Sequence, residues 1–294
     1  MSVFAQQTGT ECEFSNSDSW VILSPIEQSI KRKIESVGTP LKDWDINIYR
    51  GVLTGYNEAF IISTEKRDEI LANCQSDDER KRTEELIRPI LRGRDIKRYG
   101  YNWAGLWLIN THNGVRGKLE RIHIEDYPAV KAHLDQYWDK ISKRADKGDT
   151  PYNLRNCAYM EDFDKPKIMY PNMTKYLPFY YDEKGFYQND KSFMITGAHV
   201  SYLAAFLNSS LFKFCFRDNF PELLGGTREL RKIFFDKIPV KKVSDSVNDK
   251  FRRKVNEIQS DYTKEQAIKI DNLLFDLYNL TDEERRQIGF IDIE

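Results

Sequence analysis

The stretch from Thr196 to Phe216 constrains this chain more than any other part of it. Leu203, Phe206, Leu207, Leu211, Phe212 and Cys215 recur at helical spacing in a stripe too wide for a solvent-facing helix. The pattern predicts one strongly apolar, mostly buried helix capped by Thr196, and a core must be built around it. The rest of the chain can supply that core: 40% of the 294 residues are hydrophobic and 13% aromatic. This length suits one large domain, or a domain with a smaller helical appendage.

Other elements follow from local chemistry. Residues 1–19 are polar and read as a loose leader. Ser24-Pro25-Ile26-Glu27 is a capping box, with Ile26, Ile30, Ile34 and Val37 on one helical face and Gly38 placed to end it. Asp45 to Tyr49 alternates as a strand does. A glycine turn follows, and Ala59 to Ile62 reads as a buried strand. Residues 63–87 look helical up to Pro89, and Leu106 to Ile109 reads as another buried strand. Pro128 opens a helix with Val130, Leu134, Tyr137 and Ile141 on one face. Lys167–Tyr170, Phe179–Tyr181 and Phe186–Gln188 read as strands, the last two joined by the turn Asp182–Gly185. Beyond Pro239, Thr263/Gln266 and Thr281/Glu284 form further capping boxes, and Ile270, Leu273, Leu274 and Leu277 make a one-sided stripe. The expected architecture is mixed α/β (α+β): a body with a mixed sheet at 20–240, then a helical segment at 241–294.

Several functions lack the residues they need. No phosphate-binding G-x-x-x-x-G-K-S/T loop, G-x-G-x-x-G fingerprint, H-E-x-x-H or G-x-S-x-G occurs. The chain has no Pro-Pro for an amino-methyltransferase loop. Glu79-Arg80-Lys81 has the form of a nuclease E-x-K, but without a Pro-Asp pair it reads as a charged turn. The four histidines fall on separate elements. The four cysteines are scattered, which argues against a disulfide framework or a zinc site and fits reduced, cytoplasmic thiols. No apolar run is long enough to span a bilayer. Catalytic residues and metal ligands are therefore expected to be absent.

Because Lys+Arg (45) and Asp+Glu (46) nearly cancel, any case for a nucleic-acid partner rests on where the cations lie. Three clusters qualify. Arg50-Gly51-Val52-Leu53-Thr54-Gly55-Tyr56-Asn57 is a turn that could approach a phosphate, or equally a plain hairpin turn. Arg88 to Arg98 holds five basic residues and one acid, and Arg92, Arg94, Lys97 and Arg98 flank the Gly93 break where a loop would present them. Lys147 to Arg155, followed by Lys165 and Lys167, joins Tyr152, Asn153 and Arg155 in a polar loop that an ordinary surface loop would also explain.

The order of these segments resembles a known family. "RGVLTGYNEAFIIS", "IRPILRGRDIKRYGY", "LWLINTHNG", "DKGDTPYNLRNCAY" and "KPKIMYPNM" are similar, in sequence order, to the TaqI-like C-terminal specificity domain of type IIG restriction–modification enzymes and adenine-specific DNA methyltransferases. "YLAAFLNSSLFKF", "LRKIFFDKIPV" and "IDNLLFDLYNLTDEER" continue the likeness. The resemblance implies a target recognition domain that holds double-stranded DNA opposite a methyltransferase or endonuclease domain or subunit. S-adenosylmethionine and Mg2+ would be cofactors of those catalytic domains, with none in this chain. Thr54, Gly55 and Asn57 fall in the family's "TG-N-AF" turn, Arg92, Arg94 and Lys97 in its "RGRDIK" segment, and Tyr152, Asn153 and Arg155 in the "PYNLR" loop. Against whole enzymes of that kind, the chain is expected to be an excised C-terminal fragment rather than a separate subunit. The competing view is a protein-interaction scaffold that docks a partner through the Ile270/Leu273/Leu274/Leu277 stripe.

Overall fold

The computed structural model describes residues 23–291, so the polar leader expected at 1–19 lies outside them. Helix α1 (Pro25–Val37) leads into strands β1 (Gly38–Pro40) and β2 (Ile46–Arg50). A helical turn, α2 (Asn57–Phe60), precedes β3 (Ile61–Ser63), and α3 (Thr64–Ala72) and α4 (Asp77–Leu86) lead to β4 (Ile87–Leu91). The hairpin β5 (Ile96–Lys97) and β6 (Gly100–Tyr101) is followed by β7 (Leu106–Ile109), α5 (Pro128–Asp135) and α6 (Trp138–Ile141). Next come β8 (Lys167–Pro171), β9 (Met173–Thr174), β10 (Tyr180–Asp182), β11 (Tyr187–Gln188) and β12 (Ser192–Gly197). The apolar stretch forms α7 (Val200–Leu207) and α8 (Ser210–Phe216). The chain then continues through β13 (Arg228–Glu229), α9 (Lys232–Phe235), β14 (Pro239–Lys241), α10 (Asp245–Ser260), α11 (Lys264–Leu277) and α12 (Asp282–Ile288).

Two four-stranded sheets organise the molecule. One has the order β10-β8-β12-β2 and is antiparallel throughout. The other has the order β11-β4-β7-β3, with a parallel β11–β4 pair, which gives the mixed sheet expected from the sequence. Each sheet has its own core. Ile168, Tyr170 and Ile195 of the first sheet pack with α1, α7 and α8, and Phe251, Val255, Ile258, Ile270 and Leu274 of the C-terminal helices join the same cluster. The second sheet packs Ile62, Ile87, Ile90 and Leu108 against Val130, Leu134 and Ile141. Burying each such side chain contributes about 1.5–3 kcal/mol.

The capping boxes form as read. Ser24 Oγ accepts from the Glu27 N–H at 3.4 Å and Glu27 Oε2 accepts from the Ser24 N–H at 2.7 Å, and Thr281 and Glu284 repeat the exchange. Gly38 ends α1 for a different reason from the one expected. Its backbone is extended (φ −82°), and β1 packs so closely on β14 that a Cβ there would meet the Pro239 Cβ at 2.6 Å.

The structure corrects five expectations. Thr196 lies inside β12, and the single apolar helix is two, divided at Asn208 and Ser209. Ser209 caps the second helix by accepting from the Phe212 N–H at 3.0 Å, so a new helix starts inside an unbroken apolar run. The helical region closes at Leu86, and Pro89 does not end it but sits inside β4. Ala59 and Phe60 belong to a helical turn rather than a strand. The strands either side of Asp182–Gly185 make no hairpin, because β10 pairs with β8 and β11 with β4, in different sheets. Finally, the Ile270/Leu274 stripe is internal, with Leu273 and Leu277 packed against the same core, so it offers a partner no docking face.

Candidate nucleic-acid interface

The basic segment after Gly93 is held rigidly. The turn Gly93–Asp95 packs so close to Lys191 that a Cβ on Gly93 would stand 2.9 Å from the Lys191 carbonyl oxygen. Arg98 and Tyr99 then form the turn of the β5–β6 hairpin, with Tyr99 in the left-handed region (φ 56°). That backbone costs a non-glycine residue about 1–2 kcal/mol. The buried Tyr99 ring offsets the cost: it joins the first core, its N–H donates to the Phe179 carbonyl at 3.2 Å and its hydroxyl to the Ala205 carbonyl at 3.4 Å. Arg98 donates twice to the Asn208 carbonyl, at 3.0 and 2.7 Å. The hairpin is thus fastened to the helix pair α7–α8 at the point where the apolar stretch breaks.

The hairpin forms one side of a groove of about 1890 Å³. Small-molecule sites occupy about 300–1,000 Å³, so this groove is larger than a site shaped around one small ligand. Its walls come from residues between Arg92 and Ile291: the β5–β6 hairpin, the segment after β8, the β10 turn, the end of α8, the Gly225–Gly226 loop and the end of α10. Nine lining residues are cationic: Arg92, Arg94, Lys97, Arg98, Lys175, Lys184, Lys191, Lys213 and Arg217. Among the described residues Glu183 is the one acid that lines it, and Arg252 answers that charge, Nε to Oε1 at 2.8 Å. Burial would raise the Glu183 carboxyl, but hydrogen bonds from Asn256, Arg252 and Tyr181 outweigh this and hold it below the ordinary range. The acid therefore stays ionised and paired without cancelling the field of the groove.

The cations are not equivalent. Arg92 Nε and Nη2 grip the buried Asp95 carboxylate at 2.9 and 2.8 Å. Burial would raise Asp95, but those bonds and the Arg92 N–H prevail and lower it. Arg94 and Lys97 are exposed, and among the described residues Lys97 Nζ donates only to the Arg94 carbonyl, at 3.1 Å. Lys184 Nζ donates to the Tyr101 hydroxyl at 3.1 Å. Asn102, Asn172 and Asn189 add amides that can donate and accept, the groups used to read base edges, whereas the Gln259 amide is held at both ends by the Tyr181 backbone and Asn256 donates to Glu183.

The second sequence cluster thus lines the groove, and the first and third mostly do not. Thr54 is buried, and its Oγ1 donates to Asn57 Oδ1 at 2.5 Å. Gly55 has φ 67° and lies against the Asp146 carbonyl. Tyr152 donates to Asp135 at 2.6 Å, and Arg155 pairs with Asp146 at 2.9 Å. Asn153 is buried: its Nδ2 donates to the Ile122 carbonyl at 2.9 Å and its Oδ1 accepts from Thr150 at 2.6 Å, so its amide secures the loop and is not open to a ligand. These two clusters meet through Arg144, which sequence reading missed. Its guanidinium donates to the carbonyls of Thr54, Pro151 and Asn153 and stacks 4.2 Å over the Phe60 ring, and burial lowers its pKa to about 10.

Arg50 borders the groove, pairing with Asp190 at 3.4 Å beside Lys191. Lys165 is exposed and pairs with Asp162 at 3.0 Å. Lys167 needs correction. It is wholly buried, its Nζ bound to Asp182 Oδ2 and the Phe163 carbonyl, both at 2.6 Å, so its charge serves the core. Of the groove cations, Lys175, Lys184, Lys191, Lys213 and Arg217 stood out in no sequence cluster, because only the fold gathers them.

Among the described residues no group of three or more His, Cys, Asp or Glu side chains could hold a metal ion, and no helix is long and apolar enough to cross a membrane. The fold is similar to that of the type IIG restriction endonuclease BpuSI, with a TM-score of 0.52 and 15% identity over 87% of this chain and 34% of that one. It is also similar to the type IIL restriction-modification enzyme MmeI, solved in complex with DNA, with a TM-score of 0.58 and 12% identity over 85% of this chain and 35% of that one. The chain thus spans about a third of the length of these structures. The sequence profile of the TaqI-like C-terminal specificity domain matches residues 88–240, more than half of the chain and the part that builds the hairpin, β8 to β13 and α7–α8. The chain belongs to the family of TaqI-like C-terminal specificity domains.

Proposed function

We propose that this chain is the DNA target-recognition part of a restriction–modification enzyme, and that double-stranded DNA lies in the basic groove. The observation that carries this reading is the charge segregation: among the described residues nine cations and one compensated acid line one groove of a protein whose formal net charge is −1, and of those cations Arg92 and Lys191 are matched by Asp95 and Asp190 behind them. Cations neutralise phosphates and set the register, while the groove's amides and tyrosines lie where base edges would pass. Catalysis, with S-adenosylmethionine and Mg2+, belongs in this proposal to methyltransferase or endonuclease domains outside this chain, for which the groove holds the DNA in place. A cytoplasmic setting follows from that role.

The test is repeated selection of bound duplexes from a random-sequence pool at low salt, followed by sequencing. Convergence on one motif is the expected result. Absence of duplex binding, or binding with no enriched sequence after selection, refutes the proposal.

A further inference from the structure

One edge of the groove carries an unusual surface. β9 and β13 pair into a short ribbon, and the ribbon with its flanking segments holds Met173, Tyr176, Leu223 and Leu224, exposed by 54%, 60%, 38% and 100%. Met173 and Tyr176 line the groove, as do Gly225 and Gly226, immediately after Leu224. Exposed apolar side chains gathered on one surface mark interaction sites, where scattered single ones do not.

The base of this lip is rigid. Arg228 is buried, and its guanidinium donates to the Phe220 carbonyl at 2.6 Å and the Arg217 carbonyl at 3.1 Å, and pairs with Asp218 and Glu222 at 3.0 and 2.9 Å. Gly225 and Gly226 both take positive φ (76°), turning the chain tightly next to Leu224. An exposed leucine on a fastened loop, bordering a groove lined by cations, combines the two things a base-step wedge needs: an apolar head and phosphate contacts that drive it home.

We propose that Leu224, with Tyr176 beside the groove, presses against the stacked bases of bound duplex DNA and opens one base step. This rests on the groove holding DNA, as proposed above. The cations lining the same groove make a nucleic acid the occupant that fits its charge; the Tyr176 ring can stack on a base of any sequence and Leu224 supplies an apolar wedge. The lip therefore supplies deformation, while the amides of the groove supply readout.

The experiment uses duplexes enriched from the random pool, each carrying 2-aminopurine at one position scanned across the bound segment. The wild-type chain at saturation should raise 2-aminopurine fluorescence at one step. Leu224→Ala with Tyr176→Ala should abolish that rise and weaken binding by roughly tenfold, while the salt dependence of binding stays unchanged. Arg94→Gln with Lys97→Gln should do the reverse: a shallower salt dependence, with the rise retained at saturation. Both lip positions are exposed, so these variants leave the core untouched. A rise in the lip variant equal to wild type, or no rise at any scanned position, overturns the wedge while leaving the groove reading in place. A wild-type chain that binds no duplex overturns both.

Discussion

Replacing Arg94 and Lys97 together by glutamine should flatten the salt dependence of duplex binding by an amount the structure allows us to set. Both side chains are exposed on the groove, and among the described residues neither is in an ion pair. Each neutralised phosphate contributes about 0.9 to the slope of log K against log salt, so the pair accounts for about 1.8. Between about 50 and 200 mM salt the wild-type chain should lose ~12-fold more affinity than the double variant. Arg92→Gln is the contrast. Its guanidinium is already neutralised by Asp95 through two hydrogen bonds, so its loss should change the slope by well under about 0.9. It should instead destabilise the fold by about 1–3 kcal/mol, because a buried carboxylate is left without its partner. Anisotropy titrations of a labelled selected duplex across this salt range, with denaturant unfolding of each variant, measure both quantities. A double variant with the wild-type slope, or an Arg92 variant that flattens it equally, refutes the division of the groove cations into free and committed ones.

Lys167→Met should cost about 3–5 kcal/mol in urea unfolding, because Asp182 would be left charged and buried. Adding Asp182→Asn, which removes the charge but keeps an acceptor for the Phe186 and Lys184 N–H groups, should recover much of that loss, and a double variant less stable than both single ones would contradict the buried pair. Glu284 links α12 to α1: burial would raise its carboxyl, but Lys33, the Thr281 N–H and Ser29 together hold it below the ordinary value of 4.5. A depressed carboxyl stabilises fully above its unfolded pKa and stops doing so as pH falls through the lower folded one. Glu284→Gln should therefore reduce stability at neutral pH and flatten its decline below about pH 4.5, read by thermal melts across pH. A decline as steep as wild type would assign the acid limb to other carboxylates.

The elements legible in the sequence are those whose causes are local. Ser24 and Thr281 announce their helices because a cap needs only the next three residues. The Arg92–Arg98 segment was legible because its cations are contiguous. What escaped is pairing across distance. Asp182–Gly185 has the composition of a hairpin turn, but the carboxylate of Asp182 accepts from Lys167, from the Phe186 N–H at 2.9 Å and from the Lys184 N–H at 3.0 Å. The two flanking strands nevertheless pair in different sheets, β10 with β8 and β11 with β4, partners that no local turn signal reports. The break at Ser209 was hidden because a capping serine says little inside an apolar run until the partner of the second helix, Asp271 against the Ser210 N–H at 2.9 Å, is known.

Lys165 and Lys167 show the limit most sharply, since two residues of one basic tripeptide have opposite fates. Lys167 stands opposite Asp182 in the register of β8 and β10, and that cross-strand partner draws it into the core, while Lys165, before the strand begins, stays in water. The same logic explains how a protein with formal net charge −1 can present a cationic groove. Its acids are not fewer than its bases; at this surface they are committed inward or sideways. Asp95 is taken by Arg92, Asp182 by Lys167 and Glu183 by Arg252, so the cations left facing the groove meet no uncompensated carboxylate among its described lining residues. A sum over the sequence cancels these charges, but a phosphate backbone in the groove would not meet them cancelled, because the field at a surface depends on which partners the fold has already assigned.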